Sequence, residues 1–158
     1  MQYRSDVLEI AFDFPAGWQI VEDEEILKDY LQLTDEQIDA TAFLAINLTK
    51  DEPKIITFTH DMDVYPTETD YVKGLEGNIQ VLVTAGATIL SNETLSSKTG
   101  VRIDRLVLTL GTVTMAQYYI HLNELLICAS TEIKRPDDET DRILMEVVHS
   151  AQLQPEGA

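Results

Sequence analysis

The chain has 158 residues, 44% of them hydrophobic and 25% charged, and its 28 acidic residues against 11 basic ones give a formal net charge of −17. That size suits one domain with a single core, and no apolar run approaches the length needed to span a bilayer as a helix. A field of this sign opposes nucleic acid and anionic membranes, both of which require a basic face, and it favours a basic protein partner whose binding weakens with salt.

The N-terminal stretch from Met1 to Asp6 carries no basic region followed by an apolar one, so a cytoplasmic location is expected for the sequence as it stands, and an exported or surface-anchored one if a leader has been removed. Residues 1–6 and 153–158 are expected to be loose ends. In Leu8 to Trp18, LEIAFDFPAGW, the residues Leu8, Ile10, Phe12 and Phe14 alternate with Glu9, Ala11 and Asp13, the period of a strand with one buried face. Pro15 ends the ladder because it has no N–H to donate, and Ala16-Gly17 supplies a turn. Trp18 and Ile20 are then expected to return against the first strand, a hairpin corner with a core tryptophan. Phe12, Phe14, Pro15, Gly17 and Trp18 together form a structural signature rather than a ligand-stacking site.

Glu22 to Glu25 places acidic residues where a helix dipole is positive, and Ile26, Leu27, Tyr30 and Leu31 follow at helical spacing. Thr34-Asp35-Glu36-Gln37 reads as a capping box that starts a second short helix through Ile38. Phe43 to Thr49 and Ile55 to His60 are strand-like, and Lys50 to Lys54 between them reads as a hairpin loop. Thr67 is an expected N-cap with Asp70 in the box position. Tyr71, Leu75, Ile79, Leu82 and Val83 make an apolar stripe behind it, Gly86 suits the C-terminal cap, and Gly74 and Gly77 could mark close packing but match no phosphate loop.

Four strands follow over Thr88 to Ser96, Val101 to Leu110, Thr114 to Leu122 and Leu125 to Thr131, punctuated by Gly100, Gly111-Thr112 and Asn123-Glu124. Connections this short imply antiparallel neighbours. A last helix is expected to start at Arg135 to Glu139, with Ile143, Leu144, Val147, Val148 and Ala151 on its apolar side.

Catalytic and metal motifs are sparse. His60-Asp61-Met62-Asp63 is the most metal-like cluster, but on a strand only Asp61 and Asp63 would share a face, so these two are weak candidates and no metal or cofactor is expected. His121 and His149 belong to no zinc spacing. Cys128, the sole cysteine, sits in an apolar strand that suits an inert thiol and leaves no internal disulfide. Asn47 and Asn92 begin glycosylation acceptor patterns that have meaning only in a secreted chain.

The order of parts resembles the PsbP-like superfamily. The resemblance rests on a strand running into Phe12-Asp13-Phe14-Pro15-Ala16-Gly17-Trp18, a helix begun by Thr67 to Tyr71, a meander with Tyr118-Tyr119 and Leu126 to Ser130, and a closing helix. That superfamily includes the extrinsic photosystem II protein, a Ran-binding nuclear-import factor and bacterial domains, and the inserted segment from Asp23 to Ala42 looks most like Firmicutes-type members. The resemblance implies an α+β fold: a single PsbP-like domain over residues 1–158, with an antiparallel sheet of about six strands flanked by helices as an α/β/α sandwich. It also implies a non-catalytic protein-binding or assembly module. The alternatives are a cytoplasmic chaperone for a secreted effector and a small ligand-binding domain or enzyme with a cleft near His60 and His121.

Overall fold

A computed structural model of the chain describes residues 1–48, 53–134 and 138–153. The N-terminal segment departs from the expected hairpin. β1 (Gln2–Ser5) pairs antiparallel with β2 (Ile10–Asp13), whereas β3 (Trp18–Val21) joins a different sheet, where it pairs with β4 (Thr41–Asn47). Pro15 and Gly17, the latter at φ +95°, therefore carry the chain from one sheet to another. A hairpin and a sheet crossing place the same demands on these turn residues, so local chemistry does not separate them. Glu9 takes a left-handed φ of +56°, which cuts Leu8 off from the strand, and Ala11, expected on the outer face, is fully buried. The first residues, expected as a loose end, supply β1.

The short helices start where their capping residues place them. α1 (Glu24–Leu31) begins at Asp23, whose side chain accepts from the Ile26 N–H at 3.1 Å. α2 (Asp35–Asp39) has the full capping box, Thr34 Oγ1 accepting from the Gln37 N–H while Gln37 Oε1 accepts from the Thr34 N–H. β5 (Lys54–His60) pairs antiparallel with β4. Residues 49–52, the last residue of the expected strand and most of the expected loop from Lys50 to Lys54, lie outside the described residues.

α3 (Glu68–Thr84) begins at Thr67, whose hydroxyl accepts from the Asp70 N–H, and is followed by Gly86 at φ +104°. β6 (Thr88–Ser96), β7 (Arg102–Leu110), β8 (Val113–Leu122) and β9 (Leu125–Glu132) then form the expected antiparallel meander. Asn123 and Glu124 both have positive φ, the geometry of the tight two-residue turn that matches strand twist. α4 (Glu139–His149) is capped by Asp138, and β10 (Gln152–Leu153) pairs with β2. The expected helix-start residues 135–137 and the tail 154–158 lie outside the described residues.

The result is an α+β fold built on a seven-stranded antiparallel sheet, order β3-β4-β5-β9-β8-β7-β6, with a small sheet of order β1-β2-β10. Among the described residues the large sheet has seven strands instead of about six, because Trp18–Val21 belongs to it. Alternate residues divide its two faces. Tyr118, Ile120, Ile127 and Ala129 join a core with the small sheet and the Leu144, Val147 and Val148 stripe of α4. Tyr119 and Leu126 turn the other way, packing with Leu106 and Leu108 against Tyr71 and Leu75 of α3.

On the α4 side Phe12, Phe14, Phe43 and Phe58 are fully buried or nearly so. Phe43 stacks on Phe58 at 4.3 Å and Phe12 meets Phe58 at 5.0 Å. Each such ring contributes about 1.5–3 kcal/mol by leaving water. Trp18 is buried in the same core, so the aromatic signature holds the two sheets together.

The two glycines of α3 have different surroundings. A Cβ on Gly74 would lie 2.4 Å from Tyr65 Cε1 and 3.1 Å from Leu126 Cδ1, whereas one on Gly77 would meet nothing within 4 Å. Gly77→Ala should therefore stabilise the protein by about 0.5–1 kcal/mol, from helix propensity alone. Gly74→Ala should destabilise it by about 1–3 kcal/mol through overpacking. Urea unfolding of the pair checks both signs.

Candidate functional site

β7 supplies ionic side chains to both faces of the sheet. On the α3 side, Tyr71 Oη donates to Asp104 Oδ2 at 2.7 Å and Thr94 Oγ1 donates to Oδ1 at 2.8 Å. Arg102 closes the cluster with Nε 3.0 Å from Oδ2 and Nη2 3.2 Å from Oδ1, and its guanidinium lies over the Tyr71 ring, 5.6 Å from the centroid. Burial by itself would push the Asp104 carboxyl up. The hydrogen bonds from Arg102, Tyr71 and Thr94 outweigh it and hold the group below the usual carboxylate range.

The α4 side repeats the combination. Tyr118 Oη donates to Asp141 Oδ1 at 2.7 Å, and Arg105 reaches Asp141 Oδ2 at 2.5 Å through Nη2 and the Tyr118 oxygen at 2.9 Å through Nε. Burial, then the Asp141 carboxylate, push the Tyr118 hydroxyl pKa upward. Each cluster ties one helix to the sheet, and its donors and acceptors are turned toward one another.

The histidines do not come together. His121 Nε2 lies 2.7 Å from the Tyr65 carbonyl oxygen, and the ring stacks on Tyr71 at 4.9 Å with 15° between planes. His149 ends α4. His60 closes β5 with Nδ1 3.2 Å from the Asp61 carbonyl oxygen, while its Nε2 is buried without a hydrogen-bond partner among the described residues.

Asp61 and Asp63 follow the strand's last residue, so strand alternation does not govern them; they form a turn. Asp61 Oδ2 accepts from Tyr65 Oη at 2.5 Å and Oδ1 from the Asp63 N–H at 3.2 Å. The weak cation candidate is thus a turn whose first carboxylate already has two donors. Among the described residues no three His, Cys, Asp or Glu side chains are grouped to hold a metal.

His60 and Asp61 do line a cleft of ≈ 520 Å³ between α2 and α3, whereas Asp63 and His121 do not. Thr59, Leu126 and Cys128 also line it, and the Thr59 hydroxyl donates to the Cys128 carbonyl. Burial pushes the Cys128 thiol up to about 12, so it is protonated and a poor nucleophile at neutral pH. A smaller cleft of ≈ 290 Å³ lies beside Trp18, with Lys54, Thr140 and Ile143 on its walls. The sequence pointed to His60 and Asp61; it gave no sign that Leu33, Asn78 and Leu126 would join them.

Because the Asp104 carboxyl is held low in the folded protein, its contribution to stability is present above the unfolded value of about 4 and is lost as pH falls through the folded value. Asp104→Asn should cost about 2 kcal/mol at pH 7, from lost charge-assisted hydrogen bonds. The deficit should shrink as pH is lowered below about 4, which urea unfolding across a pH series measures.

No protein-family model matches the sequence, and comparison with curated proteins finds none that matches. Among solved structures, the cyanobacterial PsbP (CyanoP) of Synechocystis sp. PCC 6803, a solution structure, superposes with a TM-score of 0.63 at 14% identity, covering 98% of this chain and 92% of that one. A crystal structure from Bacteroides thetaiotaomicron VPI-5482 is similar at TM-score 0.51 and 13% identity, this chain covering 49% of its length. With its antiparallel sheet held between α3 on one face and α4 with the small sheet on the other, the chain has a PsbP-like fold.

Proposed function

We propose that the chain is a protein-binding or assembly module whose partner carries a basic surface. The observation that supports this most is the disposition of its polar side chains. Arg102, Asp104, Tyr71, Arg105, Tyr118 and Asp141 are engaged with one another in holding helices to the sheet. The acidic residues of α1 and α2, by contrast, stand on the surface. A net charge of −17 steers a basic partner toward such a surface and gives the complex a marked salt dependence. A non-catalytic role accords with the separation of His60 from His121 and with the high thiol pKa of Cys128. A chaperone for a secreted effector is the narrower form of the same reading, favoured by the open cleft between α2 and α3.

The test is the hydrodynamic size of the chain in extracts of its own host. At low salt it should elute well ahead of the purified chain and return to the purified chain's position at high salt, and mixing with the purified partner should restore the early peak. Elution at the position of the purified chain under both conditions would count against the reading.

A further inference from the structure

α3 packs over β7, β8 and β9, and α2 packs on β4, which leaves a gap between the two helices over β5 and the adjoining edge of β9. This gap is the ≈ 520 Å³ cleft. Leu126 and Cys128 lie on its sheet side, Leu33 and Gln37 belong to the α1–α2 segment and Asn78 to α3. Met62, 66% exposed, is part of the lining, and Val81, 67% exposed, is three residues beyond Asn78 on the same side of α3. Large apolar side chains exposed beside an apolar-floored cleft are what an interaction surface presents.

The charge around the cleft narrows the occupant. Residues 22–39, the segment that supplies Leu33 and Gln37 to one wall, contain eight acidic residues and a single basic one, and that one, Lys28, is tied to Asp35. Asp61 adds a carboxylate to the lining. A second copy of this chain would bring the same dense negative charge against this wall, so like-charge repulsion opposes it.

We propose that the cleft between α2 and α3 docks a basic segment of a partner protein, one large apolar side chain of which inserts between Leu33, Met62 and Cys128 while flanking Lys or Arg side chains meet the carboxylates of Asp61 and of the α1–α2 segment. This inference rests on the protein-binding reading above and assigns it a place. The apolar anchor supplies most of the affinity, and the charges set the on-rate and exclude acidic partners.

The test is selection of random 12-residue peptides displayed on phage against the full chain, with binding of the enriched synthetic peptides then measured to variants. Enriched peptides should carry Lys or Arg around a large apolar residue. They should lose at least about tenfold in affinity, or about 1.4 kcal/mol, on Met62→Lys. The same loss is expected on Asn78→Lys, and no change on Leu90→Lys, which lies on the edge strand β6 and is 57% exposed. The urea midpoints of the variants, compared with the parent, separate loss of binding from loss of fold. Peptides that bind Met62→Lys and Asn78→Lys as well as the parent would place the surface elsewhere and overturn this inference while leaving the protein-binding reading intact. Enrichment of acidic peptides would overturn the charge argument and this inference with it. Failure to enrich any peptide above an unrelated acidic domain would overturn this inference, while the protein-binding reading stands or falls on the elution test above.

Discussion

The fold depends on β7 having ionic side chains on both of its faces. Asp104 and Arg105 are neighbours in the chain, and strand geometry sends them to opposite sides of the sheet. One is tied to Tyr71 of α3 and the other to Asp141 of α4. A carboxylate or guanidinium placed there without a partner would cost several kcal/mol, so each helix is needed to complete the strand as much as the strand is needed to seat the helix. Apolar packing supplies most of the stabilisation on either face. The Tyr–Asp–Arg clusters fix which turn of each helix lies over which residue of β7.

That arrangement bears on function through what it leaves over. Tyr71, Arg102 and Asp104 on one face, and Arg105, Tyr118 and Asp141 on the other, are joined to one another across the helix–sheet boundaries. Outside them the molecule presents the acidic α1–α2 segment and, between it and α3, the cleft lined by Thr59, Met62 and Cys128. The segment has few tertiary ties: Leu27 is the sole buried residue of α1, and α2 has none. A wall held by so little packing opens locally at lower free energy than the meander does, and it can adjust to a partner without disturbing the core.

Much of this was legible in the residues. Thr34 with Gln37, and Thr67 with Asp70, begin helices where their side chains can cap free N–H groups. The meander was marked by strand-period runs separated by Gly111-Thr112 and Asn123-Glu124. The crossing at Pro15 and Gly17 was not legible, because partner choice for Trp18–Val21 is decided by Leu44 to Asn47, far along the chain. Nor were the tethers. Tyr71 and Asp104 are 33 positions apart and Arg105 and Asp141 36, and each residue alone reads as an ordinary polar position. The cleft is legible least of all, since Leu33, His60, Asn78 and Cys128 meet only after every element is in place.

Native-state amide hydrogen exchange tests the two-faced role of β7 most directly. The account predicts that the buried turns of α3 and α4 exchange with the same opening free energy as β7 and β8, in one global unit, while α1 and α2 exchange through a smaller, local opening. Exchange of α3 or α4 at a free energy well below that of β7 would contradict it, because a helix that leaves the sheet independently is not held by the strand's charged side chains.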